Sequence, residues 1–254
     1  MNRPSVGYTR SILFSFGFLG LLILFTPLVL IMAIIRIPVR FRFGVMRTWA
    51  RFCIWWLKLT CNIRYEVRGL ENIPDQPVIV FSKHQSTWET LFLPILTSRH
   101  QAWILKQELM WVPFFGWAMA AIGTIPIVRG SGRTAIKRII ELGKHYMDRG
   151  SWVMVFPEGT RVAPGEEKRF GIGGAMLAAS THAPVLPIAH NAGELWPRKG
   201  FLKYAGTVQV VIGTPIDTQG MKADNVNAVT EQWMREAMHE IDPLIYPLNN
   251  NNIK

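Results

Sequence analysis

From Ser11 to Ile35 the chain runs 25 residues without a charge. As a helix such a run is long enough to cross a bilayer, and Pro27 puts a kink inside it. A cleaved signal peptide would also begin with an apolar run. Here Arg36, Arg40 and Arg42 follow in place of a small-residue cleavage site, which weakens that reading. From Arg42 to Asn62 the pattern changes. Arg47, Arg51 and Lys58 alternate with Val45, Trp49, Phe52, Trp55, Trp56 and Leu59. That is an amphipathic, Trp-rich helix suited to the head-group layer, or to packing on a core. The pattern leaves open whether the two helices span the bilayer or enter and leave through one leaflet.

Beyond Ile63 short β-rich runs alternate with helical ones. The pattern predicts strands at 63–68, 77–82, 102–106, 124–129, 151–156, 185–189 and 208–213. It predicts helices near 87–96, 108–122, 134–148, 173–181 and 225–246. Alternation at this spacing makes an α/β domain with a central sheet flanked by helices. The chain thus divides into an N-terminal membrane-anchoring pair of helices, 1–62, and an α/β catalytic domain, 63–248. The polar Asn249–Asn252 tail is expected to fray.

Composition supports a membrane-associated protein. Hydrophobic residues make up 49% and charged ones 18%, with mean hydropathy +0.17. The net charge of +11 is uneven: residues 1–72 hold ten Arg/Lys against two acids, Glu66 and Glu71. The basic surplus therefore sits beside the apolar run, where anionic lipid attracts it and where it favours the cytoplasmic side. The later domain has no basic stripe, so no nucleic-acid partner is expected. Cys53 and Cys61 lie too far apart on one helix for a disulfide, and no spacing suggests a metal site.

Two polar runs interrupt this pattern. His84 follows the apolar run Val78–Phe81, and Glu89 lies five residues on. Ligands of open α/β sheets gather at the C-terminal ends of strands. A five-residue offset inside one helix turns the two side chains apart. They meet only if His84 precedes the helix and Glu89 lies in its first turn. The carboxylate then accepts from one ring nitrogen and leaves the other free as a base. Phe156–Arg161 follows another expected strand. Arg161 offers a fork suited to phosphate, Gly159 lets backbone approach a ligand, and Glu158 is able to accept from a substrate hydroxyl. Without further support, a solvated histidine and a surface turn explain both runs. Ser86 and Thr87 suit a helix cap. His100, His145, His182, His190 and His239 have no partner spacing. Trp111, Phe114, Phe115 and Trp117 suit either an acyl groove or ordinary packing.

The runs 84–89, 106–117, 123–130, 156–161 and 185–190 resemble, in order and spacing, the motifs of the glycerolipid acyltransferase family. The resemblance covers about Gly69 to Pro215. It implies acyl transfer from acyl-CoA or acyl-carrier protein to the 2-hydroxyl of lysophosphatidic acid, giving phosphatidic acid for phospholipid synthesis. It implies no cofactor beyond the thioester co-substrate, and a place at the cytoplasmic face of the inner membrane. His84 matches the general base and Glu89 the acid that orients it, though the family pattern has Asp there. Lys106, Arg129 and Arg161 match cations that hold the acceptor's phosphate. Glu158, Gly159 and Thr160 fall in the acceptor-binding turn, and Pro187 in a motif linked with the acyl donor. An acyltransferase for another lysolipid is the nearest alternative. A serine hydrolase is disfavoured, since no Gly-x-Ser-x-Gly elbow occurs. A non-catalytic lipid-binding module is disfavoured by the intact His84–Glu89 pair.

Overall fold

The structure, a computed structural model, describes residues 5–128, 130 and 132–248. Seven strands form one mixed sheet: β1 (Ile63–Arg68), β2 (Ile79–Ser82), β3 (Gln101–Lys106), β4 (Ile125–Ile127), β5 (Trp152–Val155), β6 (Val185–His190) and β7 (Gly206–Ile212). Their order is β1-β7-β6-β2-β5-β3-β4. Every neighbouring pair is parallel except β6–β7. The central strands β2, β5 and β6 are buried along their whole length, which explains their unbroken apolar sequences. Helices α5 (Arg133–Met147), α6 (Ile172–Thr181) and α8 (Ala223–Ile241) pack against one another and the sheet. The short α3 (Trp88–Phe92), α4 (Phe115–Ile122) and α7 (Ala192–Leu195) follow strands or turns.

Two long helices begin the chain, α1 (Gly7–Ile34) and α2 (Val39–Cys61). α1 is long and apolar enough to cross a membrane. Yet it does not stand away from the domain. Near its start Phe14 meets Trp196 edge to face at 5.0 Å. Further on, Thr26 Oγ1 donates to the Phe114 carbonyl at 3.5 Å. At Gly17 α1 passes so close to α2 that a Cβ would lie 2.1 Å from Trp56 Nε1. α2 buries Phe43, Ala50, Cys53, Ile54, Leu57 and Cys61 at helical spacing, while Phe52, Trp55 and Leu59 face outward.

One buried cluster joins Phe14, Val29, Cys53 and Leu57 to Ile63, Val80, Trp88 and Leu186. The expected division after residue 62 is therefore no boundary in the core. α2 has one face for the core and another for its surroundings.

Each expected strand has a counterpart, but the helices differ at prolines. The 108–122 segment is not one helix. A 3-10 turn (Gln107–Trp111) gives way at Pro113 to α4. The 87–96 segment continues past α3 as a 3-10 turn, Leu93–Ile95. The last helix stops at Ile241 because Asp242, extended at φ −153°, precedes Pro243. Of the expected 124–129 strand, the described residues form Ile125–Ile127. The 249–252 tail lies outside the described residues.

Candidate active site

β2 ends at Ser82, and the chain leaves the sheet through Lys83 and His84 into a turn before α3. Ser86 shapes that turn: its Oγ accepts from Trp88 N–H at 3.2 Å and donates to the Trp196 carbonyl at 2.7 Å. Thr87, in contrast, stands at the N-cap without a side-chain capping bond and lines a cavity.

Glu89 lies in the first turn of α3 and is fully buried. Its Oε1 accepts backbone N–H bonds from Gln85 at 3.0 Å and Ser86 at 2.8 Å. The same oxygen lies 2.8 Å from His84 Nδ1. Burial on its own would raise the Glu89 pKa. The His84 hydrogen bond, the neighbouring histidines and the Ser86 amide overcome it and hold the carboxyl below its ordinary value. An ionised Glu89 fixes the His84 tautomer, with Nδ1–H donating and the Nε2 lone pair free. Phe156 lies flat on the imidazole, with centroids 3.9 Å apart and planes 12° from parallel. The ring is thus held both at its edge and on its face.

The second run is tied to the first through the backbone. Val162 N–H donates to the His84 carbonyl at 2.8 Å, and Gly159 N–H closes a turn onto the Phe156 carbonyl at 2.9 Å. Gly159 adopts φ +68°, a left-handed conformation that favours glycine. Arg161 is half-buried and lines the cavity. Burial lowers its pKa, and the Glu89 charge works against that. Its Nε makes no hydrogen bond among the described residues, and its carbonyl accepts from the Arg198 guanidinium.

The cavity has a volume of about 460 Å³. His84, Gly159, Arg161 and Lys106 contribute its polar rim; Phe18, Leu22, Phe25 and Val29 of α1, Trp49 of α2 and Met119 of α4 contribute apolar wall. It is a mostly apolar space lined also by a base and two cations, a lining suited to an acyl chain and a charged head group.

Several sequence expectations change here. Glu158, read as an acceptor for a substrate hydroxyl, does not line the cavity. Its side chain is 0% exposed and its Oε1 sits 3.0 Å from Lys83 Nζ, itself 7% exposed. The contact is an ion pair without aligned hydrogen bonds, since neither Glu158 oxygen takes one among the described residues. Thr160 is half-buried and lines no cavity wall. Pro187 is buried inside β6 opposite Phe81, away from the cavity, because β6 runs through the middle of the sheet. Of the aromatic quartet only Phe115 lines the cavity; Trp111 and Trp117 are exposed. Arg129 lies outside the described residues.

No local pattern marks Lys83 as a buried partner or Phe156 as a stacking plate. Their partners come from other strands. His190 is buried, as a core histidine would be. Its Nε2 is 2.8 Å from the Lys83 carbonyl and its Nδ1 accepts from Ala192 N–H at 3.3 Å. Burial lowers its pKa, and its two ring-nitrogen bonds brace the strand end that carries His84.

A family model described as Acyltransferase matches residues 64–191. The chain is 47% identical over 208 residues to the 1-acyl-sn-glycerol-3-phosphate acyltransferase of Pseudomonas aeruginosa, covering 81% of this chain and 80% of that one. It is 31% identical over 209 residues to the 1-acyl-sn-glycerol-3-phosphate acyltransferase alpha of Homo sapiens, covering 80% of this chain and 73% of the relative. In fold it is similar to the crystal structure of the 1-acyl-sn-glycerophosphate (LPA) acyltransferase of Thermotoga maritima. That match has a TM-score of 0.77 at 24% identity and covers 92% of this chain and 95% of the other. Through its family model and these relatives, the chain belongs to the acyltransferase family of enzymes.

Proposed function

We propose that this acyltransferase moves a fatty acyl group from a thioester to the 2-hydroxyl of 1-acyl-sn-glycerol-3-phosphate, forming phosphatidic acid. One observation carries the reading. A histidine oriented by a buried carboxylate faces an apolar cavity whose rim also holds Arg161 and Lys106. The acceptor's phosphate pairs with these cations, and an acyl chain follows the apolar wall. A lysolipid without phosphate would leave Arg161 Nε without an acceptor among the described residues, whereas Lys106 already pairs with Glu108 at 3.2 Å.

His84 Nε2 removes the hydroxyl proton as that oxygen attacks the thioester carbonyl. The C–O bond forms, the tetrahedral intermediate collapses and the C–S bond breaks. His84 then returns the proton to the departing thiolate. Glu89 stays ionised and stabilises the imidazolium between the two steps. General-base catalysis contributes about 10²–10⁴-fold, and fixing both reactants supplies up to roughly 7–11 kcal/mol more. The thioester is already activated, so the scheme uses no cofactor. Acyl-CoA and acyl-carrier protein present the same thioester. Glu158 acts through Lys83 to hold the Gly159–Arg161 turn rather than through the acceptor. The enzyme works at a bilayer surface through α1, with the arginines after Ile35 favouring the cytoplasmic side of the inner membrane.

Turnover of the lysolipid with acyl-CoA and with acyl-carrier protein tests the reading. His84→Ala should remove transfer without altering membrane association; more than a tenth of the parent rate would refute the base. Arg161→Ala should cost on the order of tenfold or more in kcat/KM for the acceptor, the worth of one charge-assisted bond. A change confined to the donor KM would refute the phosphate role.

A further inference from the structure

The segment between β3 and α4 takes no part in the chemistry, yet it carries the most exposed tryptophan among the described residues. Leu109 to Val128 is twenty residues without a charge. A soluble domain would bury such a run. Here Leu109, Trp111, Val112 and Trp117 point outward, Trp111 being 79% exposed.

The backbone enforces that exposure. Phe114 adopts φ +60° and ψ −56°, and Phe115 N–H closes onto the Pro113 carbonyl at 2.6 Å. This is the rarer γ-turn, with positive φ at a bulky residue. Gly116 closes the bend from behind: a Cβ there would stand 2.2 Å from the Met110 carbonyl oxygen. Strained backbone persists where the surrounding structure over-determines it, often at ligand contacts.

What faces these side chains follows from their neighbours. The bend abuts α1 through the Thr26–Phe114 bond, and α1 presents its own apolar face with Ile23, Leu24, Leu28 and Ile31 exposed. The two elements are therefore in contact, and each carries exposed apolar side chains. Arg42, in the first turn of α2, donates to the Ala121 carbonyl of α4. Arg36 and Arg40, exposed just before and within that turn, supply cations suited to anionic head groups. Tryptophan beside an apolar face and a basic rim is the composition of a membrane interface. Leu109 and Phe115 also share the cavity wall with Phe18, Leu22 and Phe25 of α1.

We propose that residues 109–117 insert into the same lipid leaflet as α1, and that the two together form the side entrance through which the single-chain acceptor passes from the bilayer to His84. The inference rests on the membrane reading of α1, and the test separates the two.

Trp111→Cys, Leu24→Cys and Gln232→Cys are each labelled in the full chain with an environment-sensitive maleimide dye. Native Cys53 and Cys61 are buried, and the labelled parent supplies the background. Gln232 is exposed on α8, a helix that packs on β6 and α6 rather than on α1. The probe is vesicles of phosphatidylcholine and phosphatidylglycerol, with and without nitroxide on the acyl chains. The expected result is a blue shift and nitroxide quenching at positions 111 and 24, with neither at 232. Quenching at 24 but not at 111 overturns the insertion and leaves the membrane reading standing. Quenching at neither overturns both. A blue shift at 111 without lipid quenching assigns the patch to a protein contact and overturns the proposal.

Trp111→Ser then tests the entrance. Its KM for acceptor embedded in vesicles should rise about tenfold, the loss from withdrawing one large aromatic from lipid. In detergent micelles the KM should stay within about twofold of the parent, because Trp111 does not line the cavity. Equal losses in both media, or no loss in either, would overturn the entrance.

Discussion

The ion pair of Lys83 and Glu158 makes the sharpest test of how the two motif runs are held together. Both charges are buried, and the pair lacks aligned hydrogen bonds. Mutual attraction therefore offsets little more than the cost of removing both from water. Lys83→Met leaves Glu158 as an uncompensated buried carboxylate, and Glu158→Gln leaves Lys83 as a buried ammonium. Each single change should cost about 3–5 kcal/mol. In a chain of this length that corresponds to roughly 6–20 °C in the unfolding midpoint. The double variant removes both charges and should recover most of the loss, giving a coupling energy of about 5 kcal/mol or more. Unfolding midpoints of the four proteins in one detergent supply the ranking. Transfer rates supply the second readout. The turn carrying Gly159 and Arg161 loses its anchor in all three variants, so acceptor KM should stay raised in the double variant even where stability returns. Single variants that each cost less than about 1 kcal/mol and simply add would refute mutual dependence of the charges. A double variant with parental KM would refute the anchoring role.

Glu89→Gln should lose far more activity than Glu89→Asp, because Oε1 serves His84 and two amides as an ionised acceptor; an active Gln variant beside a dead Asp variant would show that reach, not charge, matters. Removal of residues 1–62 should give aggregated protein rather than a released domain, since Cys53, Leu57 and Cys61 are part of the core; a monodisperse truncated protein with cooperative unfolding would contradict this. Burial lowers the folded pKa of both His100 and His190 below the usual value of 6.5. The unfolded chain then binds more protons below that pH, so stability present above about pH 6.5 should fall as the solution is acidified. Midpoints measured between about pH 5 and 8 check the sign, and a midpoint that rises on acidification would exclude it. Glu89, with its pKa held low, should add its own loss as the pH falls through the ordinary carboxylate value and below it.

The sequence by itself determined the alternation of strands and helices, because local periodicity and β-branched runs report which residues are buried. It determined that His84 and Glu89 are able to meet only across a helix start, since backbone geometry alone forbids the alternative. It also marked the basic surplus beside the apolar helix. Only the tertiary structure decided which side of each element faces what. Glu158 and Arg161 are three residues apart on one turn, yet one turns inward to Lys83 and the other toward the cavity. Nothing local separates them, because the partner that chooses between them comes from β2. Pro187 reads as a site residue in a motif but lies inside a central strand, a placement set by the strand order. The apolar cavity has walls from α1, α2, α3, β3 and α4, none of which is complete alone. One face of the 1–62 helix pair became part of the core for the same reason. A helix with two usable faces commits one of them only when a complementary surface, here the sheet and α3, is folded against it.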